Sequence, residues 1–345
     1  ESLYPTPYEV YRNDSFSPYN TTINVMVKEA EVGAAVNATV FFYNQTHALI
    51  GNCTTDTSGV CSIIFDPADD IVPDIYTIYV NATKEGAEPS DTNSTTIKVK
   101  GILYINITQP VNGSEWKKSD TMPLSADVWD ENNNYTVPAN VYWYIDDNYV
   151  AEGKTTSTYL GTQDTGWKTV KAEAFGTCPS SPTTQCYDKG EDNVTILIKG
   201  TSGVRWIEPT SGSELTIYVP YNFTCQVYDT VTTQPISNYY VEMWYTYENN
   251  PWKLMRAGWS DSQGYLRQEY ASDTKGTLKF LCNITDNATR LYTAVVPSVQ
   301  VEFTVKDNVP PEVTNVSIVP SYGIEANYEN TTISAVVTDN IGVYT

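Results

Sequence analysis

Apolar and polar residues alternate along most of this chain with a period of two. Ile23, Val25 and Val27 begin the pattern, and Val40 and Phe42, Ile78 and Val80, and Ile97 and Val99 continue it. Successive side chains of a strand point to opposite faces, so each run predicts a β-strand with one face buried. The runs are separated by short polar stretches with turn residues, which predicts many strands joined by tight connections.

The pattern itself repeats. Gln109, Pro110, Gly113, Ser114 and Glu115 recur as Glu208, Pro209, Gly212, Ser213 and Glu214. Val128, Trp129 and Asp130 then match Val227, Tyr228 and Asp229, and Val141 to Tyr144 matches Val241 to Tyr245, with Trp143 near Trp244. An offset of about 100 residues suits one sandwich domain and is too long for a solenoid unit. A third copy starts near Asp307 and carries Val337, Thr338 and Asp339 in the place of the earlier triplets. The first hundred residues lack the Pro and Gly-Ser-Glu signature but alternate in the same way.

Polar joints at Lys98 to Gly101, Lys199 to Gly203 and Lys306 to Pro311 set the expected boundaries. They give domains at 1–100 with an N-terminal arm, 101–200, 201–306, and an incomplete one at 307–345. Joints this short restrict hinging, so the expected fold class is all-β: tandem immunoglobulin-like β-sandwiches in an extended rod. Two strands alone are marginal in water, so residues 312–345 need further chain, or a strand from a neighbouring copy such as the arm Glu1 to Tyr19, to cover them. The simpler expectation is an arm packed on its own domain.

Composition sharpens this. Charged residues make up 18% of the chain, and Tyr, Thr, Ser, Asn and Val dominate, as in strands and polar turns. A formal net charge of -21 repels phosphate backbones and anionic lipid, which argues against nucleic acid and peripheral membrane attachment. No run of 18 apolar residues is present to insert in a bilayer, and the chain starts at Glu1 without a leader, as expected of a processed protein or a fragment.

Six cysteines fall as Cys53 and Cys61, Cys178 and Cys186, and Cys225 and Cys282, each pair within one segment. That distribution predicts three disulfides and an oxidising compartment. The first two pairs bracket a turn and a Pro-rich loop, so they read as local clamps. Asn-X-Ser/Thr occurs at Asn13, Asn20, Asn37, Asn44, Asn52, Asn81, Asn93, Asn106, Asn112, Asn134, Asn193, Asn222, Asn283, Asn287, Asn315 and Asn330. These are sixteen of 27 asparagines, where composition alone gives about five, so a coat of N-linked glycans is expected.

Between Cys225 and Cys282 lies Trp244, and this Cys, Trp, Cys order resembles the immunoglobulin fold. The resemblance implies an inter-sheet disulfide packed on a core Trp, although Phe280 stands two before the second Cys where antibody-like domains carry Tyr. Asn308 to Ser317, with Val309, Pro310, Pro311 and Val313, and then Ile333 to Val343, resemble tandem Ig-like repeats of archaeal and bacterial cell-surface proteins, and Ser58-Gly59 and Asp261 to Gly264 are similar to hairpins of such modules. What that family implies is surface layers, extracellular filaments and adhesins.

Candidate chemistry is sparse. Asp164-Thr165-Gly166 matches the aspartic-protease tripeptide, but that mechanism needs two such Asp and only one copy exists, so a turn is expected. His47 is the sole histidine, without a nucleophile elbow anywhere, and reads as an exposed turn residue. Acidic runs at Asp66 to Asp70, Asp127 to Glu131 and Asp146-Asp147 lack EF-hand spacing, so solvated turns are favoured over structural calcium, and no metal site or other cofactor is expected. Tyr239, Tyr240, Trp244, Tyr245, Tyr247 and Trp252 sit close together, half for the core and half for an outer face open to sugar or a subunit. The expected function is therefore non-catalytic: a structural subunit of a glycosylated extracellular or cell-surface assembly, filament or layer, whose partners are copies of itself. The alternatives are an adhesin binding glycan or protein, and an accessory region of a larger secreted enzyme.

Overall fold

The computed structural model describes residues 2–30, 32–248, 250–319 and 332–339, and among these there is no α-helix. The chain is all-β, built of immunoglobulin-like sandwiches in tandem. Its contacts divide it into two compact units. The first comprises 1–116, 120–160 and 167–197, and the second comprises 117–119, 161–166 and 198–345.

The first unit opens with β1 (Ser2–Thr6), β2 (Glu9–Tyr11), β3 (Thr21–Met26), β4 (Lys28–Glu29), β5 (Gly33–Ala34), β6 (Thr39–Tyr43), β7 (Leu49–Thr54), β8 (Val60–Phe65), β9 (Ile75–Thr83) and β10 (Asn93–Gln109). One sheet has the order β1-β3-β8 and the facing one β2-β10-β9-β6-β7, while β4 and β5 form a small pair of their own. Inward residues of both sheets make one core from Val10, Ile23, Val25, Val40, Phe42, Ile78, Val80, Ile97 and Val99. These are the alternating positions of the sequence, as a two-faced strand requires. The N-terminal arm is packed on its own sandwich: β1 pairs with β3 and β2 with β10.

Strand β10 does not stop at the polar joint Lys98–Gly101. Its first half pairs with β9, and its second half, Leu103 to Gln109, pairs with β12 of a second sandwich. The joint is extended backbone because both halves find ladder partners. The second sandwich consists of β11 (Ser114–Lys117), β12 (Thr121–Asp130), β13 (Ala139–Ile145), β14 (Asn148–Glu152), β15 (Thr155–Tyr159), a 3-10 turn (Leu160–Thr162), β16 (Gly166–Cys178), β17 (Ser181–Gln185), β18 (Tyr187–Asp188) and β19 (Gly190–Glu208). Its sheets run β10-β12-β15 and β11-β19-β16-β13-β14, the same order as before. Trp143, Leu124, Met122 and Ile145 are its largest fully buried side chains.

The second unit repeats the arrangement with the later part of β19, β20 (Glu214–Thr216), β21 (Tyr221–Asp229), β22 (Tyr240–Tyr247), β23 (Lys253–Trp259), β24 (Tyr265–Tyr270), β25 (Gly276–Ile284), β26 (Tyr292–Val296) and β27 (Ser298–Lys306). Sheet orders are β19-β21-β24 and β20-β27-β25-β22-β23. Beyond it, β28 (Glu312–Val319) pairs with β29 (Thr332–Thr338) as a two-stranded sheet. Asn330, Asn340, Ile341, Gly342 and Val343 lie outside the described residues.

All three cysteine pairs are bonded, and two of them join opposite sheets. Cys225 on β21 reaches Cys282 on β25 across the sandwich. Cys53 on β7 reaches Cys61 on β8, which belongs to the facing sheet, so this pair is an inter-sheet staple and not the hairpin clamp its spacing suggested. Cys178 and Cys186 close the β16–β17 loop as expected.

The core Trp of the third sandwich is not Trp244. Met243 faces Cys282 in the ladder and is buried, so Trp244, one residue on, points to the outer face. A one-residue offset inverts a strand's faces, and here Val241 aligns with Val141, which puts Met243 where Trp143 stands. The indole that packs against this core is the partly buried Trp206 of β19, with Phe223, Phe280 and Phe303 at centroid distances of 6.1, 5.6 and 5.9 Å.

The first and third sandwiches also share a turn. Asp56 Oδ1 accepts from the amides of Ser58 and Val60, and Asp261 Oδ1 from those of Gln263 and Tyr265. Gly59 (φ +73°) and Gly264 (φ +75°) end these turns, where a Cβ would stand 2.5 Å from the Val27 or Val227 carbonyl oxygen. Only glycine fits both the left-handed conformation and that approach.

Candidate functional site

The repeated triplet ends in an aspartate that the strand period turns inward. On β12, Met122, Leu124, Ala126, Val128 and Asp130 face the core side, and on β21 Phe223, Cys225, Val227 and Asp229 do so. A buried carboxylate is costly unless it is paired and hydrogen-bonded. Each of these two has found a buried cation.

Within the first unit, Arg12 follows β2 and reaches the second sandwich. Its Nη2 donates to Asp130 Oδ2 at 2.7 Å, its Nε to Glu131 Oε1 at 2.7 Å, and its Nη1 to the Ile71 carbonyl at 3.0 Å. Side-chain exposure is 4% for Arg12, 1% for Asp130 and 5% for Glu131. The remaining lone pairs are also used: Asp130 Oδ1 accepts from the Asn132 and Asn134 amides, and Glu131 Oε2 from the Ile102 amide of β10. Burial lowers the Arg12 pKa, but Glu131 and Asp130 outweigh it and hold the guanidinium charged above its ordinary value. Beside this network, the ring of Tyr187 lies over Gly101 and Gly176, where an added Cβ would stand 2.9 and 2.6 Å from ring carbons. Burial pushes the Tyr187 phenol up to about 12. Tyr11 donates to Asp188, which also pairs with Lys100.

The second unit holds the same arrangement one repeat later. Lys118 Nζ donates to Asp229 Oδ2 at 2.8 Å, and Tyr292 donates its hydroxyl to the same oxygen at 2.9 Å. Asp229 Oδ1 accepts from the amides of Val231 and Thr232. Burial raises the Asp229 carboxyl, but Lys118, the Thr232 amide, Tyr292 and the Val231 amide more than offset it, and the pKa ends below the ordinary value. Tyr292 covers Gly200 as Tyr187 covers Gly101: a Cβ on Gly200 would stand 2.3 Å from its ring. Sequence reasoning identified neither cation nor either Tyr-on-Gly contact. The available signals were an aspartate at an inward strand position and a Lys-Gly pair at each joint, Lys100-Gly101 and Lys199-Gly200.

One of the enzyme-like motifs borders the second network. Asp164-Thr165-Gly166 is the loop leading into β16, and Thr165 donates its hydroxyl to the Arg290 carbonyl. Asp164 shares a cleft of about 670 Å³ with Asp229, Lys118, Arg290 and Tyr292. Both Asp229 oxygens already accept hydrogen bonds, one from Lys118 and Tyr292 and the other from two backbone amides, unlike a pair of carboxyls that share one proton. His47 is exposed in the turn after β6 and stacks on Tyr79 at 4.7 Å. Of the acidic runs, Asp130 and Glu131 hold Arg12, and Asp146 and Asp147 pair with Lys168 and Lys171, whereas Asp66, Asp69, Asp70 and Asp127 are exposed. Asp74, Cys178 and Cys186 lie close enough to suggest a metal, but the two sulfurs are bonded to each other and Asp74 accepts from Ser180 and Ile75.

None of the fifteen described sequon asparagines is buried: Asn13, Asn20, Asn44, Asn81, Asn283 and Asn287 are half-buried, and the other nine are exposed. In Asn44 and Asn134 the side-chain oxygen accepts from the amide and hydroxyl of the sequon's own Thr46 or Thr136, so Nδ2 is not the atom held by the turn. Of the aromatic group, Tyr239 is fully buried, Tyr245 and Tyr247 border the core, and Tyr240 and Trp252 are exposed.

No protein-family model matches this chain, and no curated protein does. Solved structures do. A tetra-tandem repeat from the extending region of a large adhesion protein is 12% identical, over 99% of this chain and 90% of that one, with a TM-score of 0.43. Titin domains I67–I69 are 11% identical over 87% and 95%, with a TM-score of 0.35. The fibronectin(III)-like modules of Clostridium thermocellum CbhA are 16% identical over 59% and 94%, with a TM-score of 0.23. Values this low leave the fold to be argued from strand order and say nothing of function.

Proposed function

We propose that this chain is a structural segment of a glycosylated extracellular assembly, a filament or layer at the surface of an archaeal or bacterial cell. The observation that carries the reading is the recurrence, in each unit, of a buried cation paired with the last inward aspartate of the triplet, with a Tyr ring closed over a strand glycine. In the first unit this network and the unbroken β10 hold two sandwiches in one fixed relation. Such fixity suits a load-bearing part. Three disulfides suit an oxidising exterior. Sixteen sequons, with fifteen placed at accessible positions, suit a surface coated in N-linked sugar.

The test is glycopeptide mass spectrometry of the chain released from intact cells. Most sequons should be occupied, and occupancy of fewer than about a third would return the excess to composition. An adhesin is the second reading, favoured by the exposed pair Tyr240 and Trp259, edge to face at 5.4 Å on the solvent face of the β22–β23 pair. A glycan array would register it as saturable binding lost in Trp259→Ala.

A further inference from the structure

Three aromatic rings form a row on the outer face of the β10-β12-β15 sheet. Tyr104 of β10 stands opposite Trp129 of β12 in the ladder, and their rings stack at 6.0 Å and 26°. Tyr135, in the loop after β12, stacks on the indole at 5.7 Å and 29°. This is apolar surface open to water, with Tyr104 42% and Tyr135 59% exposed. The core does not use it, since Ile105, Ile107 and Val128 face the other way.

A sequon sits at each end of the row. Asn106 is two residues along β10 from Tyr104, hence on the same face, roughly 7 Å away by the rise of a strand. Asn134 immediately precedes Tyr135, and with its oxygen committed to Thr136, its amide nitrogen is the free group. A pyranose has a flat face of C–H groups that packs on an aromatic ring, whose π-face is negative. Sugar attached at either end therefore lies within reach of the row.

We propose that the first sugars of N-glycans on Asn106 and Asn134 pack on the Tyr104, Trp129 and Tyr135 row, so that carbohydrate serves as the outer layer of this sheet. The proposal rests on the glycan coat and adds to it a defined seat. It makes these two glycans part of the folded structure, while those on bare turns are solvent.

The test uses the full chain secreted from a host that attaches N-glycans, with occupancy at Asn106 and Asn134 read by mass spectrometry. Thermal melting is compared for the native chain, Asn106→Gln, Tyr104→Ser and the double variant, with Thr108→Ala as a second way to remove the glycan. Loss of the Asn106 glycan should lower Tm by about 2–4 °C with Tyr104 present and by less than about 1 °C with Ser there, a coupling of the size of one ring contact. Trimming to the first sugar should keep the native Tm. Occupied sites with additive effects would overturn the proposal alone, leaving the coat intact. Empty sites at both asparagines would overturn it together with the glycan reading there.

Discussion

Replacing Arg12 with Met isolates the buried charge network of the first unit. The side chain is of similar length, so packing changes little, but Asp130 Oδ2 and Glu131 Oε1 lose their cation at 1% and 5% exposure. Their other oxygens keep backbone donors, so the carboxylates stay in place without a counter-charge. Breaking a buried pair in this way costs roughly 3–5 kcal/mol, because the partner's desolvation is no longer offset. For a unit of roughly 190 residues that corresponds to a fall in Tm of roughly 6–20 °C. Differential scanning calorimetry reads it directly, and a single transition for this unit should split as the two sandwiches uncouple. Arg12→Lys should fall between, since one ammonium cannot serve both carboxylates with Arg's fork geometry. Arg12→Met with Asp130→Asn and Glu131→Gln should recover more than half of the loss. An Arg12→Met protein within about 1 kcal/mol of native would refute the reasoning, placing the network among pairs that merely break even.

Other outcomes follow from the same structure. Removing the Cys225–Cys282 bridge, which spans 57 residues, should cost about 4 kcal/mol by loop entropy, against about 2.5 kcal/mol for either bridge spanning 8, measured by denaturant melts of Cys-to-Ala pairs. Gly200→Ala drives a methyl into the Tyr292 ring and should cost about 1–3 kcal/mol, whereas Gly113→Ala meets no atom within 4 Å and is limited to the strain of its φ of +78°. The Tyr187 phenol is raised in the fold, so its contribution is complete below about pH 10 and is lost as pH climbs towards 12, and Tyr187→Phe should flatten that alkaline limb. The Asp229 carboxyl is depressed, so its contribution is present above about pH 4 and lost as pH falls further, a step that Asp229→Asn should remove along with much of the neutral-pH stability.

Strand positions were legible because a period of two needs only the local sequence. The inward rows Ile23-Val25-Val27 and Ile97-Val99 are the core of the first sandwich. Register was not, and the Trp143–Trp244 alignment slipped by one residue because a Trp is a more conspicuous mark than a Met, although face is decided by parity alone. The joint at Lys98 to Gly101 looked like a linker between domains since Gly and Lys interrupt the apolar pattern. In space it is the middle of β10, where Gly101 is required by the Tyr187 ring lying on it. Short spacing made Cys53 and Cys61 look like a hairpin clamp, yet the intervening turn crosses from one sheet to the other. The aspartates of the triplets were visible as a repeat, but their cations were not. Arg12 lies 118 residues from Asp130, and no local pattern encodes a contact at that range. Accessibility at the sequons also required the fold, because parity turns Asn81 and Asn283 away from the core, but only the packed structure shows that they are half-buried there.

The central claim, a repeating structural part of a surface assembly, meets its most direct test in cryo-electron microscopy of the native cell surface with the chain located by an antibody to its second unit. The account predicts label recurring at a fixed interval along a fibre or across a lattice, with density for sugar projecting at the sequon positions. Label on isolated stalks with no regular spacing would contradict it.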